Sequence, residues 1–223
     1  MTGNGARTVR RASAGYAVEL EGGETLDAGG VVVTVPAFVT AELLAGVDPD
    51  LAEEHAAIDY ASSVVVTLAY READVTHALE GYGYVVPRSE ESDVLACTWT
   101  SSKWAERAPD GAVLIRVYAG RFGGRDVTAD RDDELLALAR EEVRIVGIEA
   151  EPILTRFHRW RRGMPQYLLG HPERLERIEL LVATHPGLAL AGAAYRGVGI
   201  PDCIRSGEVA AESVAQALSG APA

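Results

Sequence analysis

The stretch that decides the fold is LALAGAAYRGVGIPDCIRSGEVAAESVAQAL, residues Leu188–Leu218. It predicts a buried strand (Leu188–Ala191), a glycine-rich crossing and a long helix, in which Pro201 suits the first turn because its missing N–H costs nothing there. Glycines just before a helix let a ligand approach unpaired N–H groups and the positive end of the helix dipole. The segment is therefore a candidate cofactor site for a group that carries or gains negative charge, although such junctions also serve tight packing.

The predicted helix carries an apolar stripe of small side chains at helical spacing, with charged and polar residues on its other face. The stripe consists of Gly207, Ala210, Ala211, Val214, Ala217 and Leu218. Side chains this small are expected to let the helix sit very close to a sheet or to a cofactor.

Charge and cysteine content exclude several classes of protein. The 223 residues include 33 acidic and 21 basic residues, a net charge of −12, which argues against nucleic acid and anionic membranes as partners. Cys97 and Cys203 are too far apart in sequence to suggest a disulfide framework or a metal cluster, and they favour a reducing, cytoplasmic setting. The N-terminus lacks the apolar region of a signal peptide, and no apolar run reaches the length of a membrane span.

The remaining sequence predicts a mixed α/β and α+β fold. Residues Ala6–Ala12 are predicted to form a strand, the β-branched run Gly30–Val35 is predicted to form a strand covered on both faces, and Ala37–Leu44 is predicted to form a helix. The middle of the chain is predicted to be rich in strands, among them Ala112–Ala119. It also contains a predicted helix over Asp130–Val146, capped by Asp130, and a further strand follows over Ile153–Trp160. The chain is predicted to leave one domain, build a second and return, with boundaries at 1–57, 58–155 and 156–223 and a cleft where the halves meet.

Common catalytic and metal-binding patterns are not found in the sequence. The five histidines show no HxxxH or HExxH spacing, and Ser206 lies in Arg-Ser-Gly-Glu rather than in GxSxG. Acidic clusters fall at helix starts or on helix faces, where solvation is the simpler interpretation. We therefore expect no bound metal and no catalytic side chain.

Two stretches indicate a flat ligand when they are taken together. FHRWRRGMPQYLLGH, residues Phe157–His171, combines aromatic side chains with the arginines at 159, 161 and 162, which could meet carboxylates or simply be solvated. In GYGYVVP, residues Gly81–Pro87, the glycines permit close approach of something planar. Each stretch alone fits a rigid loop or an ordinary strand, but both together favour a pocket for a large flat molecule.

The segment LALAGAAYRGVGIPDCIRSGEVAA resembles the C-terminal flavin-binding segment of the oxygen-dependent porphyrinogen oxidases of haem synthesis, within the FAD amine-oxidase superfamily. CTWTSSKWAERAPDGAVLIRVYAGR, RWRRGMPQYLLGH and GYGYVVPRSE are similar to family segments in the same order. The resemblance covers nearly the whole chain, and GVGIPDC with PQYxxGH is quite specific.

The resemblance implies partial Rossmann-like FAD-domain pieces, 1–57 and 156–223, flanking a mixed-sheet substrate-binding domain. It implies non-covalent FAD, three two-electron oxidations of a porphyrinogen by hydride transfer, and dioxygen as final acceptor with formation of hydrogen peroxide. The residues matched to flavin contacts are Val9, Trp160, Ala193, Val198, Gly199 and Ile200. Those matched to the substrate-pocket wall are Tyr82, Val85 and Tyr118.

One departure from the family pattern affects the expected activity. The family carries a GxGxxG phosphate turn and a following acidic residue, and neither occurs in this sequence. We therefore expect a C-terminal portion that is inactive alone, that binds FAD weakly or not at all, and that self-associates through an exposed apolar face. Two other functions stay open at this point: a non-catalytic domain that binds porphyrin or a partner protein, and another flavin oxidase that acts on an amine.

Overall fold

The computed structural model describes residues 2–220, which contain ten β-strands and six α-helices. The strands are β1 (Ala6–Ala12), β2 (Gly15–Leu20), β3 (Thr25–Ala28), β4 (Val31–Val33), β5 (Tyr60–Arg71), β6 (Gly83–Val85), β7 (Val94–Trp99), β8 (Ala112–Ala119), β9 (Leu154–Pro165) and β10 (Leu188–Leu190). The helices are α1 (Ala37–Leu44), α2 (Pro49–Ala56), α3 (Thr100–Lys103), α4 (Asp132–Arg144), α5 (His171–Val182) and α6 (Ile200–Ser219). The predicted mixed fold class is confirmed.

The chain divides into two compact units. The first unit contains the residues up to Asp59 and those from Met164 onward, and the second unit contains Tyr60–Gly163. The sequence placed the second change of domain at residue 155, which falls inside β9. That strand continues beside β5, with Arg162 N donating to Ser62 Oγ at 3.0 Å, so the change of unit comes at Gly163.

A three-stranded antiparallel sheet, β1-β2-β3, begins the first unit. Gly15 follows the first turn with φ +97°, and a Cβ there would lie 2.3 Å from Ala28 O, so only glycine fits this approach between strands. Next to it, the Tyr16 ring is fully buried and its hydroxyl donates to Pro186 O at 3.0 Å. The N-terminal sheet is thereby bonded to the segment that leads into β10.

Strand β10 pairs in parallel with β4, and α6 packs against these two strands. The expectation that the β-branched run is covered on both faces is wrong for the described residues, because only Val33 is buried while Val31 and Val32 are half-buried. A parallel ladder of two strands leaves each strand with a single neighbour. The close approach of α6 is real, since a Cβ on Gly30 would lie 2.5 Å from Val214 Cγ1.

The small-residue stripe of α6 is only partly buried. Ala210 is buried and Val214 packs beside it in a cluster with the β10 strand, as predicted. Ala211 and Ala217 are exposed, and Leu218 is 49% exposed although it reaches Gly29. The helix is twenty residues long whereas β4 and β10 have three residues each, so most of its length extends past the strands that it covers.

The second unit is built on a five-stranded sheet of order β6-β7-β8-β5-β9. The ladders between β6 and β7, β7 and β8, and β8 and β5 are antiparallel. One face of the sheet packs against α4 through a buried core to which the helix contributes Leu135, Ala139 and Val143. Alternate residues of each strand therefore point away from α4, toward what we call the outer face.

Helix α4 begins two residues later than predicted. Asp130 is not its cap, because the Asp130 carboxylate accepts a hydrogen bond from Arg125 Nη1 at 2.7 Å. The helix starts at Asp132, where the Arg131 backbone N–H donates to Glu134 Oε2 at 2.9 Å. A competing ion pair thus displaces the helix start that local sequence favours.

Candidate functional site

The glycine-rich crossing between β10 and α6 is held at both ends by side chains of the first unit. Gly192, with φ +118°, donates from its N–H to Ser206 Oγ at 3.0 Å, and Ser206 in turn donates to Cys203 O at 2.8 Å. The Ser206 hydroxyl therefore accepts from the backbone of the loop and donates to the backbone of its own helix. The strand end and the helix start are fixed relative to each other.

Tyr167 fixes the middle of the same loop. Its hydroxyl donates to Ala193 O at 2.7 Å and accepts from Gly197 N–H at 2.9 Å, so one oxygen bridges both sides of the crossing. The Tyr167 ring stacks on His171, with centroids 4.2 Å apart and planes 10° apart. The PQYLLGH segment quoted above as one motif is thus the support of the loop at the start of α6.

A histidine pair holds the same loop from the other side, through Tyr195. His171 Nε2 lies 3.1 Å from Tyr195 O, and His55 Nε2 lies 3.1 Å from the Tyr195 hydroxyl. His55 Nδ1 is 2.7 Å from Leu51 O, which can only accept, so Nδ1 carries the proton and Nε2 accepts from the tyrosine. Burial lowers the pKa of His55, while its bond to Leu51 and the charge of Glu54 act in the opposite direction.

This buried histidine predicts a pH dependence of stability. Because its pKa is lowered in the folded state, the unfolded chain binds a proton below the ordinary value of 6.5 that the folded chain does not, and stability falls as pH falls through that range. His55→Gln keeps a donor and an acceptor but cannot titrate. Urea unfolding at about pH 7 and about pH 5 should show a larger acid loss in the wild type than in the variant. Equal losses in both proteins would contradict this role for His55.

The glycines at the start of α6 are explained by a side chain of the helix itself. A Cβ on Gly197 would lie 2.6 Å from Asp202 Cβ, and a Cβ on Gly199 would lie 2.9 Å from Asp202 Oδ2. Asp202 is in the first turn, where a carboxylate already interacts favourably with the helix dipole. The predicted close approach at Gly197 and Gly199 is therefore made by Asp202.

The start of α6 nevertheless presents an accessible surface. Val198 is 45% exposed and Ile200 is 77% exposed, on either side of the N-cap residue Gly199. The N–H groups of the first turn have no partner within the helix. Two exposed apolar side chains therefore lie beside unpaired backbone donors at the start of the helix.

The structure brings four of the six predicted cofactor residues into this loop: Ala193, Val198, Gly199 and Ile200. Val9 is 2% exposed and pairs with Val18 in the N-terminal sheet, so its side chain is not available to a ligand. Trp160 is on β9 in the second unit and is 57% exposed.

In the second unit, two of the three predicted substrate residues share the outer face of the sheet. Val85 pairs with Ala96, Ala96 with Tyr118, and Tyr118 with Val65, so one cross-strand row runs over four strands. Val85 is 71% exposed, and the Tyr118 ring is half-buried. Tyr82 precedes β6, is 64% exposed, and its carbonyl accepts from Trp99 N–H at 3.0 Å.

The glycines of GYGYVVP have different roles from the predicted one. Gly83 has φ +123°, and a Cβ there would lie 2.0 Å from Cys97 O, so the close neighbour is strand β7 rather than a planar ligand. Gly81 has φ +76° with nothing within 4 Å of a Cβ. The tight glycine belongs to strand pairing, because the edge strand here approaches its neighbour closely.

Of the arginines at 159, 161 and 162, Arg159 is already paired within its own unit. Arg159 Nη2 donates to Asp132 Oδ1 at 2.7 Å and to Asp130 O at 2.8 Å, so its charge is paired within the second unit.

Sequence reasoning did not single out three residues that the structure places near the candidate sites: His55, Asp202 and Arg116. No local pattern marks them, since each depends on contacts that only the folded chain creates.

The comparisons with known proteins agree on one family. The profile for flavin containing amine oxidoreductase matches residues 2–215. The chain therefore belongs to this flavin-dependent family, as its sequence predicts.

None of the helices between residues 2 and 220 is long and apolar enough to cross a membrane.

Individual relatives are similar to the chain over part of their own length. Coproporphyrinogen III oxidase of Bacillus subtilis (strain 168) is 37% identical over 198 residues, which cover 87% of this chain and 42% of that protein. Protoporphyrinogen oxidase of Macaca fascicularis is 34% identical over 198 residues, covering 85% of this chain and 41% of that protein. The chain thus spans about two fifths of these curated relatives.

A solved structure shows the same fold. A crystal structure from Exiguobacterium sp. 255-15, assigned as a protoporphyrinogen oxidase, superposes with a TM-score of 0.81 and 30% identity. The match covers 97% of this chain and 47% of that one. The resemblance to the porphyrinogen oxidases that the sequence motifs indicate is confirmed.

Proposed function

We propose that the protein oxidises a porphyrinogen, coproporphyrinogen III or protoporphyrinogen IX, to the porphyrin in haem synthesis, with FAD as cofactor and dioxygen as electron acceptor. The observation that carries the proposal is the 37% identity over 198 residues to a coproporphyrinogen III oxidase. The exposed start of α6 and the apolar row on the outer face of the sheet give additional support, because each suits a flat, largely apolar group.

The residues of the first unit would hold the flavin without acting as acids or bases. Backbone donors at the start of α6, with Val198 and Ile200 beside them, would contact the ring where charge accumulates, and Ala193 would lie toward the ribityl side. The backbone of Val9 would contact the adenine. When bound to these residues, FAD would supply the hydride acceptor for the substrate carbon and the redox group that dioxygen reoxidises.

The residues of the second unit would bind the substrate. Val85 and Tyr118 offer apolar and aromatic surface in one row, which suits a tetrapyrrole, and Tyr82 would add a further wall. The proposal assigns no general base, because the hydride chemistry belongs to the cofactor and the side chains position the two reactants.

The composition of the chain and its exposed side chains support proposals on its location, its self-association and its class of ligand. Cys97 and Cys203 are free thiols, which supports a cytoplasmic location. Exposed apolar side chains in the first unit, such as Leu169 and Leu180, support self-association of this chain at high concentration. The net charge of −12 supports a small-molecule ligand rather than nucleic acid.

Ligand titration tests the proposed substrate class against an amine. Coproporphyrin III should quench the tryptophan fluorescence of the purified chain, and the quenching should be smaller in Trp160→Phe than in Trp104→Phe, a control at another exposed tryptophan of the second unit. The diamine putrescine should leave the fluorescence unchanged. Binding of putrescine without binding of porphyrin would overturn the proposal and favour an amine oxidase.

A further inference from the structure

Arg116 is at the centre of the outer face of the five-stranded sheet. It belongs to β8, the middle strand, and pairs with Thr67 on one side and Thr98 on the other. Thr98 pairs in turn with Gly83, so the row that contains Arg116 otherwise has two threonines and a glycine. Tyr118, two residues along β8, points to the same face. The arginine is thus next to the row that suits a flat ligand.

Within residues 2–220, Arg116 is the arginine whose guanidinium contains a buried atom without a hydrogen-bond partner. Its Nε is buried, and within residues 2–220 it has no hydrogen-bond partner. By contrast, Arg121 donates to three backbone carbonyls, and Arg125 pairs with two carboxylates. The other arginines that form ion pairs in this unit are Arg71, Arg131, Arg140, Arg144 and Arg159.

The buried Nε–H of Arg116 is destabilising unless a ligand or another group accepts its hydrogen bond. A buried N–H donor without a partner loses its hydration without compensation, and a cation loses more than a neutral group. The cross-strand partners of Arg116 in its row are two threonines and a glycine, so no long side chain of that row extends over its guanidinium. The group that best completes a guanidinium is a carboxylate, which matches its planar fork.

We propose that Arg116 binds a carboxylate of the flat substrate on the outer face of the sheet. This inference rests on the proposed function, because it takes the ligand to be a tetrapyrrole that carries propionate groups. It gives the outer face two complementary parts, an apolar row for the ring system and one cation for an acidic side chain of the ring. Arg116 takes the role that the sequence left open for the arginines at 159, 161 and 162.

The test compares an acid with its ester on the full chain. Coproporphyrin III and its tetramethyl ester have the same ring system, but only the acid offers carboxylates. Arg116→Gln should weaken binding of the acid roughly 10- to 100-fold, the range expected for loss of a charged hydrogen bond, and should leave binding of the ester unchanged. Arg116→Lys should recover part of the loss because it keeps the charge but not the fork. Arg71→Gln, an exposed arginine at the end of β5, should change neither affinity.

Each outcome decides between the alternatives. If Arg116→Gln binds the acid as tightly as the wild type, the inference is overturned and the proposed function stands. If the wild-type chain binds acid and ester equally, the inference is overturned even where the glutamine variant does not fold. If the wild-type chain binds neither compound, the inference and the proposed substrate class both fail.

Discussion

Gly83→Ala is expected to destabilise the second unit by about 3 kcal/mol, because a Cβ at φ +123° would lie 2.0 Å from Cys97 O and 2.7 Å from Thr98 Cα. Both contacts are with backbone, so no side chain can turn aside to relieve them. The expected relief is separation of β6 from β7, which would also displace Val85 from the row on the outer face. Urea unfolding should therefore show a lower midpoint, and porphyrin titration should show weaker binding.

A second glycine in the same segment provides the control. Gly81→Ala meets nothing within 4 Å and suffers only its positive φ, so it should cost about 1 kcal/mol. Similar losses at the two positions would mean that strand proximity has no part in the effect. The loss of stability at both positions would then come from the positive φ alone, which would contradict the steric explanation for Gly83.

Glu142→Ala is expected to destabilise the same unit by about 2–4 kcal/mol, because it leaves a buried hydroxyl without its acceptor and removes packed atoms. Glu142 on α4 is 7% exposed, and its Oε1 accepts from the Tyr84 hydroxyl at 2.6 Å. Burial, followed by this bond to Glu142, raises the pKa of Tyr84 far above its ordinary value. The Tyr84–Glu142 pair joins the edge strand β6 to α4, which covers the face of the sheet opposite the outer face.

The neighbouring residue on the same helix separates a general effect from a specific one. Glu141 is exposed and forms an ion pair with Arg144 at 3.2 Å, so Glu141→Ala should change stability by less than about 0.5 kcal/mol. Glu142→Gln keeps an acceptor for Tyr84 and should fall between the two alanine variants. If Glu141→Ala costs as much as Glu142→Ala in thermal unfolding, the buried hydrogen bond is not what holds β6.

Much of the fold follows from local sequence. The predicted strands Ala6–Ala12 and Ala112–Ala119 and the predicted helix Ala37–Leu44 have the observed bounds, because turn residues and hydrophobic periodicity are local signals. The errors occur where a distant partner decides. Arg125 takes the carboxylate of Asp130 away from the helix cap, and β5 extends β9 beyond the predicted end at Trp160.

The candidate sites show the same division. Motif resemblance placed Ala193, Val198, Gly199 and Ile200 together because they are consecutive or nearly so in sequence. It could not indicate that the Tyr167 hydroxyl bridges that loop or that His55 supports it from α2. Nor could it indicate that Arg116 Nε, in the row next to Tyr118, has no hydrogen-bond partner in the part of the chain that the structure describes. These features depend on contacts between residues far apart in the chain, which periodicity and spacing do not record.

Turnover in a hybrid enzyme tests the central claim most directly. The matching segment of the Bacillus subtilis coproporphyrinogen III oxidase, 42% of that protein, would be replaced by this chain, and the hybrid would be loaded with FAD. Under air, the hybrid should convert coproporphyrinogen III to fluorescent porphyrin with release of hydrogen peroxide, and Trp104→Phe should not alter that rate. A hybrid that folds and retains flavin, but forms no porphyrin from either porphyrinogen while the natural relative does, would contradict the account.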